Sequence, residues 1–154
     1  MEIIHSNDAL AIRHVMLQAF SEYADDPQPS SALYETEQTI TLDLQRGARA
    51  FLGKIDGQPV AMVRFTVNES YLYFYRLSVV PNHQGKGLAK KLLATLEDYA
   101  QRNNLSEIQC KVRASVPKNI DLYESVGYEI IANEQSTNPL GMTMNVVTMK
   151  KTIN

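Results

Sequence analysis

The chain is poor in residues that bring strong chemistry by themselves. One of its 154 residues is cysteine, Cys110, so no internal disulfide can form. Met1 leads straight into Glu2-Ile3-Ile4 without a basic or apolar leader pattern, and an intracellular, reducing, cytoplasmic location is therefore expected. The three histidines, His5, His14 and His83, share no metal-ligand spacing with the cysteine, so no metal is expected. No apolar run approaches the roughly 20 residues of a membrane span. Fifteen Lys and Arg against 17 Asp and Glu leave a net charge of -2, which supplies no general attraction to nucleic acid or an anionic membrane. The expected partner is small, and any basic site is local. What remains, 44% apolar and 21% charged residues, fits one soluble domain over residues 1–154 with a core of its own.

Periodicity gives the order of elements. Ile3-Ile4-His5 reads as a short strand ended by the capping residues Ser6-Asn7-Asp8, after which Ile12, Val15, Met16, Ala19, Phe20 and Tyr23 recur at helical spacing. Asp25-Asp26-Pro27-Gln28-Pro29-Ser30-Ser31 breaks this helix, and Leu33, Glu37, Ile40 and Leu44 mark one face of a second, ending at Gly47. Arg49 to Ile55 and Val60 to Val67 flank Asp56-Gly57, a two-residue hairpin signal. Tyr71 to Val80 is a fourth, aromatic-rich strand. Leu88, Ala89, Leu92, Leu93, Leu96, Tyr99 and Ala100 form an apolar helical stripe. Glu107 to Val112 reads as a strand, Pro117 to Ser125 as a short helix stopped by Gly127, and Tyr128 to Ala132 and Met142 to Lys151 as closing strands around a Gln135-to-Pro139 loop. An antiparallel meander followed by a helical crossover predicts an α/β (α+β) fold, a mixed sheet of about seven strands with roughly four helices on both faces. The last strand, Met142 to Lys151, offers an edge through which two copies could pair as a homodimer.

The informative stretch is Val79-Val80-Pro81-Asn82-His83-Gln84-Gly85-Lys86-Gly87-Leu88-Ala89, where a strand ends and a helix begins. Such a junction presents unpaired amides and the positive end of a helix dipole, so it can hold a phosphate group. Gly85 and Gly87 remove side chains from the approach and can take positive φ, and Lys86 adds a cation. A P-loop is excluded because Gly85-Lys86 is followed by Gly87 rather than Ser or Thr, and no glycine stands at the required upstream position. A dinucleotide fingerprint fails too. Its third glycine would fall on Lys90, and the motif follows a meander rather than the first βα turn. His83, inside this turn, is expected to be exposed and to contribute at most charge.

The pattern Val79-x-Pro81-x-x-Gln84-Gly85-Lys86-Gly87-Leu88-Ala89 resembles the acetyl-CoA signature of the GCN5-related N-acetyltransferases (GNAT). Asn119, Leu122, Tyr123, Gly127 and Tyr128 resemble a second motif of that family, and the order of elements is similar along nearly the whole chain. The resemblance implies a single GNAT-like domain that transfers an acetyl group from acetyl-CoA directly to a primary amine of a small molecule or peptide. It also implies that Leu77 and Val79 pair with the pantetheine arm like an added strand, past a bulge that leaves their backbone groups open. Gln84, Gly85, Lys86, Gly87, Leu88 and Ala89 would hold the pyrophosphate, Asn119 the amide arm, and Tyr123 would stand near the sulfur.

Acetyl transfer to an amine needs a neutral nucleophile, an oxyanion donor and a proton for the leaving thiolate. The Val79 N–H suits the second role. Tyr123 suits the third, since a phenol of pKa about 10 stays protonated at neutral pH. For the first, Tyr73-Phe74-Tyr75-Arg76-Leu77-Ser78 holds no carboxylate, which leaves Glu22, Asp25, Asp26, Glu35, water or solvent as the base. Asp25 and Asp26 could attract a cationic acceptor, and Tyr34 and Tyr75 could line its pocket, between the Asp25-to-Tyr34 break and the Glu134-to-Met142 loop. Tyr71, Tyr73, Phe74 and Tyr75 divide between pocket and core. Cys110 reads as a buried structural thiol. The missing carboxylate keeps a second reading open, a non-catalytic acyl-CoA-binding sensor or regulatory module.

Overall fold

A computed structural model describes residues 1–21, 31–137 and 141–153. The helix start at Ser6-Asn7-Asp8 is realised by Asp8, whose carboxylate accepts from the Ala11 N–H at 3.1 Å. The elements are β1 (Glu2–His5), α1 (Ala9–Phe20), α2 (Glu37–Gln45), β2 (Arg49–Ile55), β3 (Gln58–Val67), β4 (Tyr71–Val79), α3 (Leu88–Arg102), β5 (Glu107–Arg113), α4 (Pro117–Ser125), β6 (Glu129–Thr137) and β7 (Thr143–Thr152). They follow the order predicted from periodicity. The strands form a seven-stranded mixed sheet in the order β1-β2-β3-β4-β5-β7-β6. The β4–β5 pair is parallel, and β1–β2, β2–β3, β5–β7 and β7–β6 are antiparallel. Tyr23 of the first helical pattern lies outside the described residues.

The chain groups into two compact units, Met1–Thr66 with Phe74–Leu96, and Val67–Tyr73 with Glu97–Asn154. In the first, Ile12, Val15 and Met16 of α1, Ile40 of α2, Leu52, Met62, Phe65 and Phe74 of the strands, and Leu92, Leu93 and Leu96 of α3 are all essentially buried. Each such side chain contributes about 1.5–3 kcal/mol relative to exposure. Asp56 and Gly57 take φ of 51° and 78°, the double left-handed pair that a type I′ hairpin requires. In the second unit Leu72, Ile108, Cys110, Tyr123, Tyr128 and Met149 are buried.

Three expectations need correction. The second helix does not run from Leu33. A 3₁₀ turn at Ser31–Tyr34 comes first, and α2 starts only after Thr36, whose hydroxyl accepts from the Thr39 N–H (3.1 Å) while Thr39 Oγ1 accepts from the Thr36 N–H (2.9 Å). The sixth strand runs on through Gln135-Ser136-Thr137, which pair with Asn145, Met144 and Thr143. All nine of its residues are exposed, so no alternation announces it. The last strand is no edge. β7 is paired on both sides, and the edge belongs to β6.

Candidate active site

β4 carries a bulge. At one end of the β3–β4 hairpin the Asn68 N–H donates to the Tyr71 carbonyl (2.8 Å), and at the other the Val80 N–H donates to the Val60 carbonyl (2.9 Å). Val60 to Asn68 is eight steps and Tyr71 to Val80 nine, so β4 holds one extra residue. The irregular backbone is at Arg76, whose φ of 58° is left-handed in mid-strand. A non-glycine residue there costs roughly 1–2 kcal/mol. The buried Ser78 latches the bulge by donating its hydroxyl to the Arg76 carbonyl at 2.8 Å.

Beyond the bulge, strand geometry sets what Val79 presents. Backbone groups of successive residues point to opposite sides of a strand. Because the Val80 N–H faces β3, the Val79 N–H and carbonyl face away from it, and so do those of Leu77. The Val79 carbonyl accordingly accepts from the Gln84 side-chain amide at 3.0 Å, which ties the turn back onto the strand end. The ladder with β5 is registered over Tyr71↔Glu107, Leu72↔Ile108 and Tyr73↔Gln109, and β4 runs on to Val79. Leu77 and Val79 are half-buried.

The turn itself is a 3₁₀ segment, Pro81–His83, followed by exposed Gln84, Gly85, Lys86 and Gly87 and then by the buried Leu88 and half-buried Ala89. Gly85 and Gly87 take φ of 77° and 78°, and a Cβ placed on either would meet nothing within 4 Å. The space above the glycines is open. The Lys91 N–H donates to the Gly87 carbonyl at 3.2 Å as α3 begins, so the amides of the preceding turn lie ahead of any helical acceptor and point out of its positive end. An anionic diphosphate fits such a cradle. Gln84 differs from its neighbours, since its own N–H is taken by the Pro81 carbonyl at 3.3 Å. His83 is half-buried rather than exposed, because the 3₁₀ turn folds it in; its N–H donates to the Val80 carbonyl at 2.9 Å.

Tyr123 and Asn119 belong to the second unit. Asn119 is half-buried in the first turn of α4, its N–H donating to the Val116 carbonyl at 3.1 Å. Tyr123 is buried, with its ring centroid 5.9 Å from that of Tyr128. Gly127, at φ 102°, turns the chain so that the Tyr128 N–H donates to the Tyr123 carbonyl at 3.0 Å. Burial, and then the nearby Cys110, push the Tyr123 phenol well above its ordinary pKa, so it holds its proton throughout the neutral range.

Cys110 is buried, and burial pushes its thiol from 9.0 up to about 12. A folded value above the unfolded one means that this contribution to stability is complete below pH 9.0 and is lost as the pH rises toward about 12. The thiol is expected to resist an aromatic disulfide reagent at about pH 8 in the native protein and to react fully in denaturant. Prompt reaction of the native protein would contradict this burial.

One polar cluster was missed by periodicity. Arg64 of β3 is 2% exposed. It donates from Nη1 to both Glu35 carboxylate oxygens (2.9 Å each) and from Nη2 to Asp43 Oδ2 (2.5 Å), and it lies 5.0 Å from the Tyr75 ring centroid. The Tyr75 hydroxyl donates to the same Asp43 oxygen at 2.5 Å, and Arg76 Nε donates to Glu35 Oε2 at 2.9 Å. Burial opposes the Arg64 charge, but Glu35 and Asp43 more than offset it and hold its pKa above the ordinary value. Burial and the Asp43 hydrogen bond raise that of Tyr75. A signal was present, since Val60-Ala61-Met62-Val63-Arg64-Phe65 puts a charge inside an apolar strand, where it demands partners.

Of the proposed acceptor residues, Tyr75 is thus committed to Asp43, Tyr34 is 53% exposed, and Asp25, Asp26 and the alternative base Glu22 lie outside the described residues. Phe74 is core, whereas Tyr71, Tyr73 and Tyr75 are half-buried. Among the described residues there is no group of three or more His, Cys, Asp or Glu able to hold a metal ion, and no helix is long and apolar enough to cross a membrane.

The seven-stranded mixed sheet with four α-helices recurs in known acetyltransferases. The ribosomal-protein-S18-alanine N-acetyltransferase from Escherichia coli is 21% identical, with a TM-score of 0.78 over 99% of this chain and 95% of that one. A chimera of the spermidine N-acetyltransferase SpeG from Vibrio cholerae and hSSAT is also 21% identical, with a TM-score of 0.75 over 99% and 96%. An acetyltransferase of the GNAT family from Streptococcus pneumoniae is 16% identical, with a TM-score of 0.73 over 99% and 100%. The family model for the Acetyltransferase (GNAT) family matches residues 13–128, which include both the glycine-rich turn and Tyr123. The chain belongs to that family and is an acetyl-CoA-dependent N-acetyltransferase.

Proposed function

We propose that the protein transfers an acetyl group from acetyl-CoA directly to a primary amine of a small molecule or peptide. The observation that carries this reading is the end of β4: a bulge at Arg76, after which the Leu77 and Val79 backbone groups face away from β3. In this reading those groups hold the pantetheine arm in the manner of a strand. The amides of Gly85 to Ala89, with Lys86 beside them, hold the diphosphate. Gln84 acts chiefly by bracing Val79, and Asn119 bonds the amide arm. The two acceptor classes are those named for the similar structures, a ribosomal-protein alanine and spermidine.

The acceptor nitrogen attacks the thioester carbonyl, the C–N bond forms, and the C–S bond breaks. The Val79 N–H, already fixed at the strand end, donates to the oxygen as it gains charge. Tyr123, kept protonated by burial, donates its proton to the departing sulfur. Glu35 is a poor base because two arginines occupy its carboxylate. The acceptor loses its ammonium proton to solvent before attack, and the second proton, which the nitrogen gives up on becoming an amide, passes to water and restores the Tyr123 phenol. Tyr123→Phe preserves the ring packing and removes the donor. It is expected to lower kcat about a hundredfold with little change in the KM for acetyl-CoA. Equal rates across the pH range would take Tyr123 out of the mechanism.

Thiol release measured with amines, polyamines and peptides tests the direct transfer proposed here. Acceptor-dependent release supports it, and tight acetyl-CoA binding with no release from any acceptor would overturn it.

A further inference from the structure

We propose that Glu35 is a positioning residue for acetyl-CoA binding, its carboxylate gripping Arg76 so that the β4 bulge keeps Leu77 and Val79 turned outward. The inference rests on the functional reading above. Arg76 occupies a left-handed backbone conformation that its own Cβ disfavours, so something outside the strand must select it. Among the contacts that reach it are the Ser78 hydroxyl on its carbonyl at 2.8 Å and Glu35 Oε2 on its Nε at 2.9 Å.

Glu35 is well built for the task because it is itself held on every side. Its N–H donates to the Ala32 carbonyl (3.2 Å), its carbonyl accepts from Arg13 Nε (3.1 Å), and its carboxylate takes both bonds of Arg64 Nη1. Arg64 is in turn pinned by Asp43 and by the face of Tyr75. A rigid chain of contacts therefore runs from α1 and α2 through β3 to the bulge, and Glu35 is its last link. Asp43 spends Oδ2 on Arg64 and Tyr75 instead. A bulge that populates the outward conformation only part of the time binds acetyl-CoA more weakly by that fraction.

Alanine and glycine at position 76 separate this role from a direct contact with ligand. Both delete the guanidinium, but glycine enters the left-handed region freely and alanine does not. By calorimetry, Arg76→Ala is expected to weaken acetyl-CoA binding about tenfold, and Arg76→Gly to recover most of that loss. Glu35→Gln is expected to weaken binding roughly tenfold in the otherwise unchanged chain and to add little in the Arg76→Gly background. The KM for the acceptor at saturating acetyl-CoA is expected to stay near its original value, and melting curves establish that each variant is folded. Equal losses in Arg76→Ala and Arg76→Gly, or no loss in either, would overturn the positioning role even if Glu35→Gln fails to fold. If the unaltered chain binds no acetyl-CoA, the functional reading falls and takes this inference with it. Binding by the unaltered chain with equal 76 variants refutes the inference only.

Discussion

Gly87→Asp is expected to weaken acetyl-CoA binding about a hundredfold or more while leaving the fold intact. Gly87 sits at φ 78°, so any side chain adds a backbone cost of roughly 1 kcal/mol. The carboxylate then sets a negative charge where the diphosphate is proposed to lie, and at about 4–5 Å with an intermediate effective dielectric this adds a few kcal/mol. Nothing lies within 4 Å of a Cβ at this position, so the free protein has room for the substitution. Gly87→Ala, which lets the free turn relax away from the binding geometry, isolates the backbone share and is expected to cost about fivefold. Calorimetry with acetyl-CoA and with free CoA reads both. Unchanged affinity in Gly87→Asp would remove the turn from the binding site.

The second large effect falls on stability. Arg64→Ala is expected to destabilise the protein by about 3 kcal/mol, the low end for a broken buried ion pair, because Asp43 reaches solvent and is partly screened. For a chain of this length that corresponds to a melting temperature lower by roughly 10 °C. The mechanism is desolvation without compensation. Glu35 is 18% exposed and keeps only Arg76, while the Tyr75 hydroxyl is left with Asp43 on the empty side of the site. Arg64→Met combined with Glu35→Gln removes both charges and is expected to recover part of the loss. A cost below about 1 kcal/mol for Arg64→Ala would show that the cluster contributes little net energy.

The sequence was legible wherever one physical demand dominated. The Asp56-Gly57 hairpin, the apolar stripe of α3 and the glycine-rich turn each follow from a local rule, and each is where it was expected. The strand bulge was expected too, although nothing local marks Arg76 as the residue that adopts it. Its side chain bonds Glu35, 41 positions away. Longer-range balances were harder. The 3₁₀ turn before α2 wins because Thr36 and Thr39 cap each other, a reciprocal bond that helical spacing at Leu33 and Glu37 does not register. β6 is legible only in its first half, and its continuation to Thr137 escapes because an edge strand exposed at all nine residues needs no alternation. The Arg64 cluster draws on a 3₁₀-to-helix connection, a helix and two strands, so its members were visible singly and meaningless until folded together.

The same distinction applies to the catalytic groups. Tyr123 and Val79 are the residues whose roles are proposed; Tyr123 is a buried phenol whose pKa lies above its ordinary value, and the direction of the Val79 amide is set by its neighbour's bond to Val60. Glu35 went the other way. Considered as a base from its position near the helix break, it is found committed to Arg64 and Arg76.

The central claim is that the end of β4 and the start of α3 receive acetyl-CoA. Titrating free CoA into isotope-labelled protein and following each backbone amide by NMR tests it most directly. The account predicts that the largest shifts fall on Leu77, Val79 and Gly85 to Ala89. Saturable binding that leaves these amides unmoved and shifts another surface would contradict it.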